Sequence, residues 1–124
     1  MPKLNPAYLA ALYHQILHAP YPRLVSMRLT VLELDRAEIE MDAGEQHLQP
    51  FGILHGGVIA TLIDTATFWA GFGPIPADAG LVNVDLKLNY LQPAKPGRLF
   101  AHGRLLRAGR TISYAEASVK SEDG

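Results

Sequence analysis

The strongest constraint on the fold is an apolar helix pattern that runs from Val58 to Ala70. Valine, isoleucine, leucine, alanine, phenylalanine and tryptophan cover nearly every side of the helix that this stretch would form. A helix that is apolar all round is a buried helix, and a strongly curved sheet wrapped around it would bury it. One residue does not fit, because Asp64 places a carboxylate in the middle of the stretch.

Asp64 has no basic residue within one helical turn on either side, so it has no ion-pair partner on its own helix. An ionised carboxylate is costly to bury unless it is paired or hydrogen-bonded. Two interpretations follow. In the first, the side chain reaches solvent or bonds a neighbouring hydroxyl of Thr61 or Thr65. In the second, it is a carboxylate at a functional site.

The residues that precede the apolar stretch favour the functional interpretation. Gly56 and Gly57 lie where the helix begins, so backbone N–H groups and the positive end of the helix dipole are available without side chains to block close approach. Such an N-terminus can stabilise a developing oxyanion. His55 either orients the loop or a substrate, or has a purely structural role.

The spacing of these residues predicts a second copy of the chain. Asp64 follows Gly56 by eight residues, which is about 12 Å along a helix axis and too far for both to contact one carbonyl group. If both act on the same carbonyl, Asp64 must come from another copy, and the site must lie across a two-fold interface. The mechanism then predicts an obligate dimer.

The flanking sequence predicts a single α+β domain over residues 1–124. A short helix with an apolar stripe begins at Pro6, after Asn5 as N-cap, and ends before Pro20. Strand patterns cover residues 24–34 and 36–42 as a hairpin, then residues 81–91, 97–107 and 110–119. Hairpin connections make this sheet antiparallel.

Composition excludes several classes of function. The chain has no cysteine, which excludes disulfides, thiolate zinc sites and a cysteine nucleophile. Its net charge of −1 argues against a nucleic-acid partner. The sequence has no signal-peptide pattern and no apolar run of membrane length, so we expect a cytoplasmic protein without a membrane partner. His14 and His18 lack the glutamate of a zinc-protease motif, and no metal site is predicted.

Charge is distributed unevenly along the chain. Residues 1–80 carry four Lys plus Arg against eight Asp plus Glu, a net −4, and residues 81–124 carry seven against four, a net +3. Such asymmetry is typical of a solvated surface of mixed charge. The alternative is that the basic residues bind a small polyanionic ligand.

A family resemblance rests on the motif LQPFGILHGGVIATLIDTA and on VNVDLKLNYLQPAKPG, which follows it. Together they resemble the hotdog-fold acyl-CoA thioesterases of the PaaI-like, phenylacetate-pathway type, from about Leu24 to the C-terminus. The resemblance implies a curved antiparallel sheet wrapped around a central helix at about Gly56–Gly71. Such proteins usually continue past the position of Gly124 with one more strand, so the last family strand is expected to be missing here, either because the chain is truncated or because the sheet is short by one strand.

The resemblance implies hydrolysis of aryl- or medium- to long-chain acyl-CoA to free acid and CoA, with no separate cofactor because CoA is part of the substrate. Asp64 would act as nucleophile or general base, and the Gly56 N–H would polarise the thioester carbonyl. His55 would help to set the loop and the thioester. Gln49 stands where this branch usually has Asn, and either amide can orient water or substrate. The expected assembly is at least a homodimer, and a homotetramer as a dimer of dimers.

The resemblance also implies a set of substrate-binding residues. Gly57 belongs to the helix start, and Asn83 stands where the family commonly has Ser or Thr near the catalytic water. The alternation of residues 81–91 places Asn83 opposite the core face, toward a partner. Cations are needed for the phosphates of CoA, and the candidates are Lys95, Arg98, Arg107 and Arg110.

Two other functions remain open at this point. One is a hotdog hydratase or dehydratase that acts on acyl-CoA without cleaving it, although such enzymes would lack the acid at this spacing in the central helix. The other is a non-catalytic acyl-CoA-binding protein, which predicts a replaced acid or an appended DNA-binding segment.

Overall fold

The fold is α+β, as the sequence predicts. The computed structural model of the protein describes residues 5–76 and 79–122, apart from the side chain of Leu17. The helices are α1 (Pro6–Leu17), α2 (Pro20–Leu24) and α3 (Gly56–Phe72), with a turn of 3₁₀ helix at Glu45–His47. The strands are β1 (Met27–Leu32), β2 (Arg36–Ala43), β3 (Gly97–Arg107) and β4 (Tyr114–Ser121).

The four strands form one antiparallel sheet in the order β1-β2-β3-β4. In β2 the predicted alternation is confirmed, because Ile39 and Met41 are buried in the core that includes Leu62 of α3, while Glu38 and Glu40 form ion pairs on the other face. The sheet therefore has an apolar face that packs against α3 and a charged outer face.

Only one side of α3 is buried, so the prediction of a helix buried all round is wrong for the single chain. Leu62, Ala66 and Ala70 are fully buried against the sheet, whereas Asp64 is exposed. At 3.6 residues per turn, Asp64 lies about 200° around the helix from both Leu62 and Ala66. Its side chain therefore projects away from the sheet, and no buried charge has to be explained.

β3 crosses α3 at close range. A Cβ atom added to Gly103 would lie 2.3 Å from the backbone oxygen of Ala66, so only a residue without a side chain fits at this crossing. The contact sets the distance between the helix and the centre of the sheet.

The N-terminal region contains one helix more than predicted. Asn5 caps α1 as expected, since its side-chain oxygen accepts a hydrogen bond from the Ala7 N–H at 2.8 Å. Pro20 ends the α1 pattern but also begins α2, because the fixed φ of proline suits the first helical turn. As a result β1 begins at Met27, later than the predicted strand at residue 24.

The strand predicted over residues 81–91 is not formed in the described chain, where none of these residues pairs with the sheet. The segment of residues 80–91, here called the connecting segment, instead runs along α3. Val82 and Val84 are 79% and 81% exposed. An alternating pattern produces a half-buried strand only where a neighbouring strand is available for pairing, and the sheet ends at β4.

A cavity of about 1530 Å³ separates the connecting segment from β4 and is lined by residues of both. Across this gap, no described residue of the connecting segment pairs with β4. β4 itself begins later than predicted, after a loop over residues 108–113.

Candidate functional site

Gln49 closes a tight turn ahead of α3. Its side-chain oxygen accepts a hydrogen bond from the Phe51 N–H, and its backbone N–H donates to the Ile53 oxygen at 2.9 Å. Gly52 adopts a φ of 86° in this turn, a conformation that favours glycine. Because the oxygen of Gln49 is used within the turn, its Nε2 group is the part of the side chain left for water or substrate.

His47 is a functional-loop residue that the sequence reasoning missed. It is 4% exposed, and its Nδ1 accepts a hydrogen bond from the Gly44 N–H at 2.9 Å. The proton is therefore on Nε2, which donates to the Val25 oxygen at 2.7 Å. The His47 backbone oxygen accepts from the His55 N–H at 2.8 Å, so His47 links the residues between α2 and β1 to the loop before α3. No sequence pattern distinguishes it from an exposed histidine.

The His-Gly-Gly motif is explained by two close contacts at the start of α3. His55 caps the helix, since its Nδ1 accepts from the Gly57 N–H at 2.7 Å, and a Cβ at Gly57 would lie 2.9 Å from that nitrogen. The Tyr90 hydroxyl donates to the Gly56 oxygen at 3.0 Å, and a Cβ at Gly56 would lie 3.1 Å from that hydroxyl. A Cβ at either position would therefore crowd the Tyr90 hydroxyl or the His55 ring.

The Gly56 N–H is left as a donor at the positive end of α3. Gly57 N–H is used by His55, and Val58 N–H donates to the His55 oxygen at 2.9 Å. Gly56 N–H has no hydrogen-bond partner within the described residues. An unpaired donor at the N-terminus of a 17-residue helix is suited to bind an anion or a developing oxyanion.

Asp64 is held by an amide of its own chain. The Nδ2 of Asn83 donates to Asp64 Oδ1 at 2.6 Å and to the Asp64 backbone oxygen at 3.2 Å. Asn83 was predicted to face a partner chain, but here it orients the carboxylate beside it. Thr61, one of the hydroxyls considered for Asp64, instead bonds the Tyr21 hydroxyl at 2.8 Å. Among described residues, Asp64 Oδ2 has no hydrogen-bond partner, so it can contact water or substrate.

The structure does not bring Gly56 and Asp64 of one chain together. α3 is continuous from Gly56 to Phe72, so the separation of about 12 Å along its axis holds. Asp64 also projects away from the sheet. One chain therefore presents these two candidate residues at two different places.

Two of the basic candidates lie in different surroundings. Arg98 bonds Asp42 at 3.1 Å on the outer face of the sheet, opposite the face that packs on α3. Lys95 follows Ala94, whose oxygen accepts from the Leu54 N–H at 2.8 Å. The structure thus places Lys95, but not Arg98, next to the loop that precedes α3.

The remaining basic candidates lie at the far end of β3. Arg107 is the last residue of that strand and Arg110 lies in the loop after it. Both are exposed, and neither side chain has a hydrogen bond or ion pair within the described residues. They are available to an anion, but the structure does not bring them to the start of α3.

A smaller cavity of about 340 Å³ opens beside the start of α3. It lies next to His55 and Gly57. Apolar and polar side chains from several elements complete its lining, among them Tyr21, Val25, Met41, Leu48, Val58 and Thr61. Its volume is at the lower end of the range for small-molecule pockets.

Comparison with known protein families shows which family the chain belongs to. Residues 51–124 match the thioesterase superfamily. The chain belongs to this superfamily. Among curated thioesterase relatives, it is 33% identical to acyl-coenzyme A thioesterase 13 of Mus musculus over 84 residues, or 67% of this chain and 59% of the mouse protein. It is 33% identical to the proofreading thioesterase EntH of Klebsiella pneumoniae over 95 residues, or 77% of this chain and 69% of that protein.

Solved thioesterase structures have the same fold. A thioesterase family protein of Silicibacter pomeroyi aligns with a TM-score of 0.85 at 26% identity, covering 92% of this chain and 84% of that one. A phenylacetic acid degradation-related protein of Ralstonia eutropha aligns with a TM-score of 0.81 at 22% identity, covering 94% and 91%. The predicted hotdog fold is confirmed, and the predicted family is confirmed at the level of the thioesterase superfamily.

The chain spans between 46% and 72% of the lengths of the first three curated relatives that it matches. Within residues 5–76 and 79–122, no helix combines the length and apolar character needed to cross a membrane.

Proposed function

We propose that this thioesterase-superfamily chain hydrolyses acyl-CoA thioesters to a free acid and CoA. The observation that carries the proposal is the unpaired Gly56 N–H at the start of α3, together with an exposed carboxylate on the same helix. Relatives named as acyl-CoA thioesterase and proofreading thioesterase support this reaction. The proposal needs no separate cofactor, and the location we propose is the cytoplasm.

In the proposed reaction the Gly56 N–H donates to the thioester carbonyl oxygen and stabilises the negative charge that develops there. Asp64 then acts in one of two ways. As a general base it takes a proton from water, which attacks the carbonyl carbon. As a nucleophile it attacks that carbon itself, forming an anhydride that water later hydrolyses. In both routes the C–S bond breaks, and CoA leaves as the thiolate and takes up a proton.

The site that we propose is built by two copies of the chain. Gly56 of one copy and Asp64 of the other would face the same carbonyl, because one copy presents them about 12 Å apart. Along α3, the connecting segment exposes Val82, Val84 and Leu91, and exposed apolar surface of this kind is typical of an interaction surface. A homodimer is the minimum assembly, and we extend the proposal to a homotetramer as a dimer of dimers.

For the acyl group we propose the cavity of about 340 Å³ beside His55 and Gly57. Its volume is at the lower end of the range for small-molecule pockets, which favours an aryl or medium-length acyl group over a long chain. Lys95, next to the loop before α3, is the cation that we propose for a CoA phosphate.

Release of CoA from a panel of aryl- and fatty acyl-CoA substrates tests the reaction. Asp64→Asn should lower kcat by about 10²- to 10⁴-fold, because the base or nucleophile is lost. Asp85→Asn, an exposed acid on the connecting segment, is the matched control and should retain wild-type turnover. Wild-type turnover in Asp64→Asn would refute the role of Asp64.

The shared site is tested by mixing Asp64→Asn with Gly56→Pro, which removes the proposed N–H donor at the first position of α3, where proline is tolerated. Subunit exchange should restore activity, because half of the mixed dimers' sites would pair an intact Gly56 with an intact Asp64. No recovery despite demonstrated exchange would contradict a shared site.

Hydration of an enoyl-CoA would favour the alternative hydratase function. Tight binding of acyl-CoA without CoA release would favour the alternative of a non-catalytic binding protein.

A further inference from the structure

The connecting segment makes one side-chain contact to each of the two candidate catalytic residues. Near its start, Asn83 bonds the Asp64 carboxylate, and near its end, Tyr90 bonds the backbone of Gly56. The segment therefore runs antiparallel to α3, with Leu81 close to Gly71. Tyr90 has no assigned role in the reaction, and its contact lies at the donor that the reaction needs.

The peptide group between Gly56 and Gly57 is held at both ends, by Tyr90 at its carbonyl oxygen and by His55 at its N–H. The carbonyl oxygen of that peptide accepts from the Tyr90 hydroxyl at 3.0 Å, and its N–H donates to His55 Nδ1 at 2.7 Å. Two consecutive glycines have wide conformational freedom. These two bonds therefore supply a restraint that the glycines themselves lack.

The peptide group that carries the Gly56 N–H is held from the other side. Its carbonyl oxygen, on His55, accepts from the Val58 N–H at 2.9 Å, and His55 N–H donates to the His47 oxygen at 2.8 Å. The unpaired N–H thus lies between two fixed peptide groups. Donors aimed in advance at a developing charge are the ones that lower a reaction barrier, and small errors in their placement are costly.

We infer that Tyr90 is a positioning residue for the thioester-hydrolysing site: through the Gly56 carbonyl it aims the Gly56 N–H, without touching the substrate itself. The inference rests on the proposed function. Since Gly56 and Asp64 of one chain serve different sites in the proposed dimer, Tyr90 acts on the site that contains its own chain's Gly56.

Tyr90→Phe removes the hydroxyl and keeps the ring against Gly56. We expect kcat to fall about five- to tenfold, which corresponds to the loss of one ordinary hydrogen bond, and KM to change less than twofold. Tyr114→Phe is the matched control, because Tyr114 is 60% exposed and Tyr90 is 59% exposed. It should leave both constants unchanged. An unchanged kcat in Tyr90→Phe, in a protein that Asp64→Asn inactivates, would overturn the inference and leave the proposed function intact.

Two mixed dimers that contain the same substitutions distinguish an effect of Tyr90 on the Gly56 N–H from an effect on the stability of the protein. One carries Tyr90→Phe and Asp64→Asn on different chains, and the other carries both on one chain beside a wild-type chain. The first keeps one complete site, whereas the second keeps only a site whose Gly56 lacks Tyr90. The first should therefore be five- to tenfold more active in CoA release. Equal activities, or the reverse order, would overturn the inference, since a loss of stability would affect both dimers alike.

Discussion

The outer face of the sheet carries charged side chains that pair with one another, whereas the exposed face of α3 is lined by apolar side chains without such partners. On the sheet, Arg28 pairs with Glu40 at 2.8 Å and with Asp42 at 2.9 Å, and Arg98 joins Asp42 at 3.1 Å. This network crosses β1, β2 and β3. Beside α3, in contrast, the connecting segment exposes apolar side chains, with Leu91 at 89%.

The contrast indicates that the two faces meet different surroundings. Charges paired across neighbouring strands suit a surface in contact with water. Exposed valine and leucine next to the candidate carboxylate of Asp64 suit contact with another protein surface. The proposed site needs a second copy of the chain at α3. The exposed apolar side chains of the connecting segment and the incomplete site therefore lie on the same side of the molecule.

Charge placed on the α3 face should have the largest effect. In Val84→Lys combined with Leu91→Lys, burial of two ammonium groups should prevent the second copy from binding. CoA release should fall at least about 100-fold, which corresponds to about 2.7 kcal/mol. Light scattering after size-exclusion chromatography reports the assembly. Ser118→Lys on β4 is the control and should leave the dimer and its activity unchanged. An intact, active dimer in the double variant would show that the α3 face does not bind the second copy.

An intermediate effect is expected where the sheet meets the buried side of α3. Gly103→Ala places a Cβ against the Ala66 backbone and should lower the free energy of unfolding by about 1–3 kcal/mol. Chemical denaturation measures this change. Ser118→Ala, at an exposed position of β4, should remain within about 0.5 kcal/mol of wild type. Equal stability of the two variants would show that this crossing tolerates a side chain.

The smallest effect should come from the outer face. Hydrogen bonds from Arg28 and Arg98 hold the pKa of Asp42 below its ordinary value. A carboxyl whose pKa is lowered by folding stabilises the protein above its unfolded pKa, and this contribution disappears as the pH falls through the folded pKa. Asp42→Asn should therefore cost about 0.5 kcal/mol at neutral pH, since the pair is exposed and screened.

Urea unfolding at several pH values checks the Asp42 prediction. The difference between wild type and Asp42→Asn should vanish as the pH falls below about 4, and it should shrink in concentrated salt. A difference that persists unchanged in acid would show that Asp42 stabilises the sheet by packing rather than by charge.

Much of the local structure follows from the sequence. The cap at Asn5, the start of α3 at Gly56 and the alternation in β2 were predicted correctly, because each depends on neighbouring residues. The strand over residues 81–91 was predicted wrongly, since its pattern has no partner at the edge of the sheet. Burial of α3 was overestimated because composition does not tell which sides of a helix the sheet covers.

By itself, the sequence determined where α3 begins, that Asp64 stands two helical turns from Gly56, and that one chain cannot join them at a single carbonyl. Those conclusions need only helix geometry. The tertiary structure alone decided that Asn83 orients Asp64 and that Tyr90 holds Gly56, contacts that span 19 and 34 residues. Such contacts depend on the path of the connecting segment along α3, which no local pattern specifies.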